Sequence, residues 1–202
     1  MKSLKNLLSL GVAAALGIAT FASTASAEAP SDVKEIKAIQ DRGVLRVGVK
    51  NDVVGFSVKD PLSGEYTGFE DTLATLIAKE IGEDVEVEFT AVTAATRSEL
   101  IDSGDLDCVL ATFTITPERK KNWDFSTPYY QDAVSVLVEN KSEIHHLKDL
   151  LGKTVGVSSG STSAKALVQA MIDNKILDGK NFNADKFDPA TWTEGVKFHQ
   201  FD

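Results

Sequence analysis

The 202-residue chain contains one cysteine, Cys108. No internal disulfide can form, so the fold must rely on its core. In the apolar run "LDCVLATF" the thiol reads as a buried structural group. Basic residues are in deficit, 21 Lys and Arg against 30 Asp and Glu, for a net charge of −9. Such a surface repels nucleic acid and anionic lipid, and no basic cluster reverses it. No phosphate loop or dinucleotide fingerprint occurs. Of three histidines, His145 and His146 are adjacent; on a helix they point about 100° apart and rarely share one ion. Neither a metal nor a cofactor is expected.

Long apolar runs are missing too. The longest, "LLSLGVAAALGIATF", falls short of the ~20 residues that a membrane span requires. It follows Lys2 and Lys5 and precedes the small-x-small site Ala25-Ser26-Ala27, which is the anatomy of a secretory signal. Residues 1–27 are therefore expected to be removed, leaving a periplasmic or secreted chain that starts at Glu28. Losing the two lysines takes the net charge from −9 to −11. The residue directly after the cleavage site is Glu28, not the cysteine that a lipid anchor would use.

What remains alternates between strand and helix patterns. A helix capped at Ser31, with Val33, Ile36 and Ile39 on one face, ends at Gly43. "VLRVGV" (44–49) reads as a buried strand, and residues 55–68 as a hairpin. Residues 69–82 form an amphipathic helix with Phe69, Leu73, Leu76 and Ile77 inward. Strands at 84–92 and 106–113 flank a short helix from Arg97 to Ser103. "TITPERKK" then opens a helix capped by Thr116, with Pro117 at its first position and Glu118 on its dipole. Further strands are expected at 132–140, 154–157 and 196–201, with a short helical turn in 142–150 and a helix over 162–174. This order implies an α/β architecture with mostly parallel sheet.

Three loops carry polar groups of chemical interest. "GVSSG" (156–160) is a G-x-S-x-G between strand and helix, the setting of a hydrolase nucleophile elbow at Ser158. Asp173, Asp178, Asp185 or Asp188 could supply the acid and His199 the base. However, no His-Gly segment offers an oxyanion hole, and His199 sits inside a strand. "ATFTITPERK" places Thr112, Thr114 and Thr116 after a strand, just before Arg119. Ligands of open α/β sheets bind beyond the carboxyl ends of strands. A guanidinium there suits a carboxylate, and threonine oxygens suit an ammonium. The same residues serve equally well as strand and cap residues beside a solvated arginine. "VSSGSTS" presents backbone amides at a helix N-terminus, a ready anion site.

Together, "LRVGVKND", "YTGFEDTLATLIAKEIG", "TITPERKKNWDFSTPYY" and "LKDLLGKTVGVSSGSTS" resemble the periplasmic amino-acid-binding proteins of ABC importers, solute-binding protein family 3. Within it they look closest to the aspartate/glutamate-binding branch. The resemblance implies a type II, two-lobed, hinge-bending fold. Lobe 1 would span residues 28–136 and a partial lobe 2 residues 137–202, with "YYQDAVSVLV" as the first crossing. By this resemblance Arg119 grips the ligand α-carboxylate, while Thr114 and the Thr112 carbonyl hold the amine and carboxylate. The amide of Thr162 completes the carboxylate site, and Ser158 and Ser159 line the same turn. Arg97 with Lys50 would neutralise an acidic side chain, and Phe56 is a weaker candidate for ligand packing.

The family pattern continues past the position of Asp202, so the chain reads as C-terminally truncated, and "DGKNFNADKFDPATWTEG" reads as an inserted surface loop. The missing part includes an aspartate that clamps the ligand ammonium. Its loss would cost roughly 3–5 kcal/mol, or about two to four decades of affinity. It would also bare a sheet edge. The leading expectation is a monomeric, non-enzymatic binding protein that delivers glutamate or aspartate to a membrane permease. An enzyme on the same scaffold, a lyase or hydrolase, and a sensor or adhesin are the other classes.

Overall fold

A computed structural model describes residues 33–202. The expected signal segment and the Ser31 cap lie outside these residues. Helix α1 (Lys34–Arg42) ends at Gly43, whose φ of +72° lets its N–H close back on the carbonyls of Ile39 and Gln40. Strands β1 (Val44–Val49), β2 (Asp52–Val53), β3 (Ser57–Lys59) and β4 (Tyr66–Thr67) follow, then α2 (Phe69–Ile81) and β5 (Glu86–Ala91). Next come α3 (Arg97–Asp102), β6 (Cys108–Leu110), β7 (Thr154–Ser158), α4 (Ser163–Asp173) and β8 (Lys197–Phe201).

β1 is the central strand of a parallel sheet in the order β5-β1-β6, in register Val47↔Phe89 and Val47↔Cys108. Leu45, Val47 and Val49 are buried in it. The β2-β3-β4 meander leads into α2, which approaches the sheet through Ala74, Ala78 and Ile81. Of the four residues expected inward on α2, Leu73 and Ile77 are partly buried against this core, while Phe69 and Leu76 are exposed. The helix is rotated because alanines allow the closest approach to β1. Phe69 instead meets Phe56 and Tyr129, with ring centres 6.3 and 5.9 Å away.

Asp107 joins β6 to β1 by accepting from the Arg46 amide and guanidinium, both at 2.8 Å. Burial works to raise its carboxyl, but these bonds and the charges of Arg42 and Arg46 bring it below the ordinary value. Burial pushes the neighbouring Cys108 thiol up to about 12, an unreactive structural group.

A second core forms from Leu150, Leu167, Val168, Met171 and Val196 beneath the parallel pair β7-β8. Residues 178–195 contain no helix or strand, as expected of a loop. They are nevertheless more than surface: the rings of Phe182, Phe187 and Trp192 pack on one another, Phe182 and Trp192 edge to face, and line this core. The strand expected at 132–140 is absent. The segment joins no ladder among the described residues, and Val134, Val136 and Leu137 are exposed. The helix expected after Thr116 shrinks to one 3₁₀ turn, Arg119–Lys121.

Gly68 permits the turn from the meander into α2. A Cβ there would stand 2.1 Å from the Phe56 carbonyl oxygen. Gly68→Ala is expected to lower stability by about 1–3 kcal/mol or more, read as a fall in the urea midpoint. An unchanged midpoint would refute that close approach.

Candidate functional site

The chain changes direction sharply where β6 ends. Ala111 is fully buried, and Thr112 takes a left-handed backbone at φ +48°. Arg97, at the start of α3, is buried to 3 % exposure and aims its Nη1 at the Ala111 carbonyl at 2.7 Å, with the Thr112 carbonyl at 3.4 Å. The Thr112 N–H donates to Oε1 of Glu70, also at 2.7 Å. Phe113 then places its ring under two cations, with the guanidinium carbons of Arg97 and Arg119 at 4.1 and 4.4 Å from its centre.

Arg119 is held at the start of its short turn, where its N–H donates to the Thr116 hydroxyl at 3.2 Å. The residue that caps this turn is Glu118 rather than the expected Thr116, whose hydroxyl nevertheless takes the Arg119 N–H. The Arg119 guanidinium donates to the Thr114 carbonyl at 2.7 Å and to the Gly160 carbonyl at 3.0 Å. That second bond joins the β6 loop to the turn after β7. Alongside it, Lys165 of α4 reaches Glu118 at 3.2 Å. Gly160, at φ +71°, lies so near Ala94 that a Cβ would stand 2.5 Å from the Ala94 carbonyl oxygen. Loops 94–97, 112–119 and 158–163 thus converge on Arg119.

The electrostatics follow from crowding cations into a partly dry junction. Burial lowers Arg97 to about 10, and the nearby Arg119 charge adds to the shift. Burial also lowers Arg119, with Glu118 opposing it. Glu118 falls to about 2, held by its own backbone amide, the Thr116 hydroxyl and Lys165. Cations short of partners, pointing at carbonyls, favour an incoming anion.

Arg119, Thr112, Thr114 and Arg97 are brought together with the turn holding Ser158, Ser159 and Thr162. Thr162 stands at the N-cap of α4, but its side chain makes no capping bond. The Ser159 amide is already spent on the Phe201 carbonyl at 2.7 Å. Lys50 lies one residue past β1, and Val49 pairs with Leu110, so Lys50 sits at the same sheet end as Ala111. Its Nζ is 3.7 Å from Asp52. Phe56 packs edge to face on Tyr130, with ring centres 4.8 Å apart.

No triad forms among the described residues. Ser158 ends β7, while His199 pairs in register with Gly156 and presses edge-on against Phe201. Asp173, Asp178 and Asp188 accept from Gln169, Lys180 and Ala190 rather than from His199. Asp185 donates its backbone N–H to Asn183. The glycines of the motif have packing reasons of their own. A Cβ on Gly156 would meet the Phe201 ring at 2.9 Å, and Gly160 faces Ala94.

Residue-type patterns missed Glu70, Asp71, Phe113 and Tyr129. Glu70 and Asp71 read as ordinary first-turn acids of α2, yet they are 0 % and 5 % exposed. Only their position between a glycine turn and an apolar face hints at burial. Ser57 Oγ lies 2.5 Å from the Lys50 carbonyl and 2.7 Å from Asp71 Oδ1. One hydroxyl has one hydrogen, so Ser57 shares it between two acceptors. Burial raises the Asp71 carboxyl, against the opposing Ser57 bond.

Residues 45–184 match the family described as bacterial extracellular solute-binding proteins, family 3. A glutamine-binding protein of Geobacillus stearothermophilus is 37 % identical over 159 residues, 78 % of this chain and 61 % of that protein. The glutamine-binding protein of an ABC transporter in Bacillus subtilis (strain 168) is 38 % identical over 160 residues, 78 % of this chain and 58 % of that one. Among solved structures, an ancestral amino-acid-binding protein described as a precursor of cyclohexadienyl dehydratase superposes with a TM-score of 0.62 at 35 % identity. That match covers 82 % of this chain and 64 % of the other. The chain spans about three-fifths of the length of these relatives.

The raised Asp71 carboxyl has a measurable consequence. A carboxyl raised above its ordinary 3.8 contributes stability that is complete below that pH. The contribution disappears as pH rises through the raised value. Asp71→Asn keeps a polar partner for Ser57 without that titration. The stability of the variant relative to the native chain should therefore increase between pH 4 and pH 8 in urea titrations. A constant difference would show that Asp71 is ionised throughout.

Proposed function

Because the chain belongs to the bacterial extracellular solute-binding proteins of family 3, we propose that it captures a polar L-amino acid for an ABC importer and catalyses nothing. Its fold is the α/β, type II periplasmic-binding-protein fold. In this reading it works outside the cytoplasm, as a monomer in two lobes divided near residue 136, and passes its ligand to a membrane permease. The observation that carries the reading is Arg119. Its guanidinium stands between the β6 loop and the β7–α4 turn, bonded to one carbonyl of each.

A ligand α-carboxylate would take the guanidinium fork in place of the Gly160 carbonyl, a charge-assisted exchange that favours the anion. Thr162 and the first amides of α4 would complete the carboxylate site. The Thr112 carbonyl and the Thr114 oxygens would take the ammonium. Phe56 would face the ligand side chain, with Lys50 on the same sheet end.

The identity of that side chain turns on Arg97. With Nη1 on two carbonyls and the group buried, its charge serves the loop before it serves a ligand. An uncharged polar side chain such as that of glutamine therefore fits better than a second carboxylate, in keeping with the glutamine-binding relatives. The acidic reading has one observation in its favour: Lys50, with its side chain 16 % exposed, follows Val49 at the sheet end where Ala111 follows Leu110.

Titration calorimetry of the purified chain with glutamine, glutamate, aspartate and histidine separates these outcomes. Glutamine is expected to bind most tightly. Arg119→Ala should weaken every ligand by at least about a hundredfold, as expected for truncating one partner of a desolvated charge pair. Tighter binding of glutamate and aspartate would establish the acidic reading instead. Binding of no amino acid would overturn the proposal. An esterase or lyase turnover abolished by Ser158→Ala would point to an enzyme on this scaffold.

A further inference from the structure

We infer that Glu70 is a positioning residue, which holds Thr112 in its left-handed backbone and ties the β6 loop to the segment leaving the first core through Tyr129. What that loop binds rests on the amino-acid reading above, whereas the positioning itself does not.

Thr112 and Lys175 are the two non-glycine residues with positive φ among those described. For a β-branched residue this conformation is an outlier that persists only where the surroundings over-determine it. At Thr112 they do. The N–H entering the residue is held by the Glu70 carboxylate at 2.7 Å. The carbonyls on either side of that residue's Cα face the Arg97 guanidinium, at 2.7 Å for Ala111 and 3.4 Å for Thr112. An acceptor and a donor of opposite charge thus grip the two peptide groups that define Thr112 φ and ψ.

Glu70 is itself anchored. It lies in the first turn of α2, its own N–H donates to the Phe56 carbonyl at 2.9 Å, and the side chain is completely buried. Oε1 accepts a second bond, from the Tyr129 hydroxyl at 2.7 Å. Tyr129 opens the segment that leads to the second core. One oxygen therefore fixes the loop that carries Arg119 and the start of that segment. Oε2 is buried with no partner among the described residues. An apolar side chain of similar size would avoid that penalty but would orphan the Thr112 N–H and the Tyr129 hydroxyl. A carboxylate here makes sense if those two donors must be held in place.

Backbone NMR on the chain tests this without any ligand. Glu70→Ala should accelerate amide exchange at Thr112 by at least tenfold more than at the other β6-flanking amides. It should also shift the Thr112 carbons away from left-handed values. Glycine adopts φ near +48° without strain. The affinity lost on Glu70→Ala, about tenfold in the native background, should therefore be clearly smaller in a Thr112→Gly background. Unaltered Thr112 signals, or equal losses in the two backgrounds, would overturn the inference. If Glu70→Ala fails to fold, the native chain decides. The Thr112 nitrogen must then show scalar coupling across the hydrogen bond to the Glu70 carboxyl carbon, and its absence overturns the assignment. If the native chain binds no amino acid, the binding reading fails while the NMR result still settles Glu70.

Discussion

The peptide groups around Thr112 are where the candidate site is hung. β6 must end abruptly for Arg119 to return toward the sheet, and the turn is made at a threonine in a conformation that threonine avoids. Glu70 and Arg97 make it tenable by pairing the N–H and the carbonyls on either side. Everything downstream inherits that geometry: the Phe113 ring beneath both guanidiniums, the Thr114 carbonyl on Arg119, and the bond from Arg119 to Gly160. The scaffold below is rigid for ordinary reasons. β1 is paired on both sides in parallel register, and α2 lies close to it on alanines.

Charge is concentrated where the sheet ends. The Arg119 charge lowers the proton affinity of Arg97, and both guanidiniums are partly stripped of water. Buried cations need pairing or hydrogen bonds, and here carbonyl oxygens meet much of that need. Such an arrangement is stable without a ligand yet gains from an anion that bonds the same fork more strongly. This balance suits a protein that must bind and then release. Glu118 and Lys165 add a half-buried pair across the same junction. It is worth little on its own, but it aligns α4 with the β6 loop.

The G-x-S-x-G segment shows how one motif can carry two unrelated meanings. Its strand-turn-helix setting is real, but each glycine answers to a neighbour, Gly156 to Phe201 and Gly160 to Ala94. Ser158 has no histidine to activate it. The turn lets the second unit approach the first, and the serines come with the turn.

Much of the architecture was legible from the order of residues alone. Hydrophobic period and glycine punctuation located α1, α2, β1, β5, β7, α4 and β8, because those signals are local. The quoted motifs pointed to the family, and the spacing of Thr112, Thr114, Thr116 and Arg119 marked a polar loop after a strand. Strand character at 132–140 could not be judged this way, since a strand needs a partner and not only a pattern. The rotation of α2 was hidden for a similar reason: burial of Ala74 and Ala78 depends on how near β1 lies, which no helical period reveals. The aromatics of residues 178–195 looked like loop residues until a second core existed for them to fill. Above all, sequence could say that Glu70 and Asp71 were acids at a helix start. Tertiary structure alone decided that both are buried, that burial raises one carboxyl and that the other holds a strained threonine, because desolvation and hydrogen-bond partners belong to the fold and not to the residue.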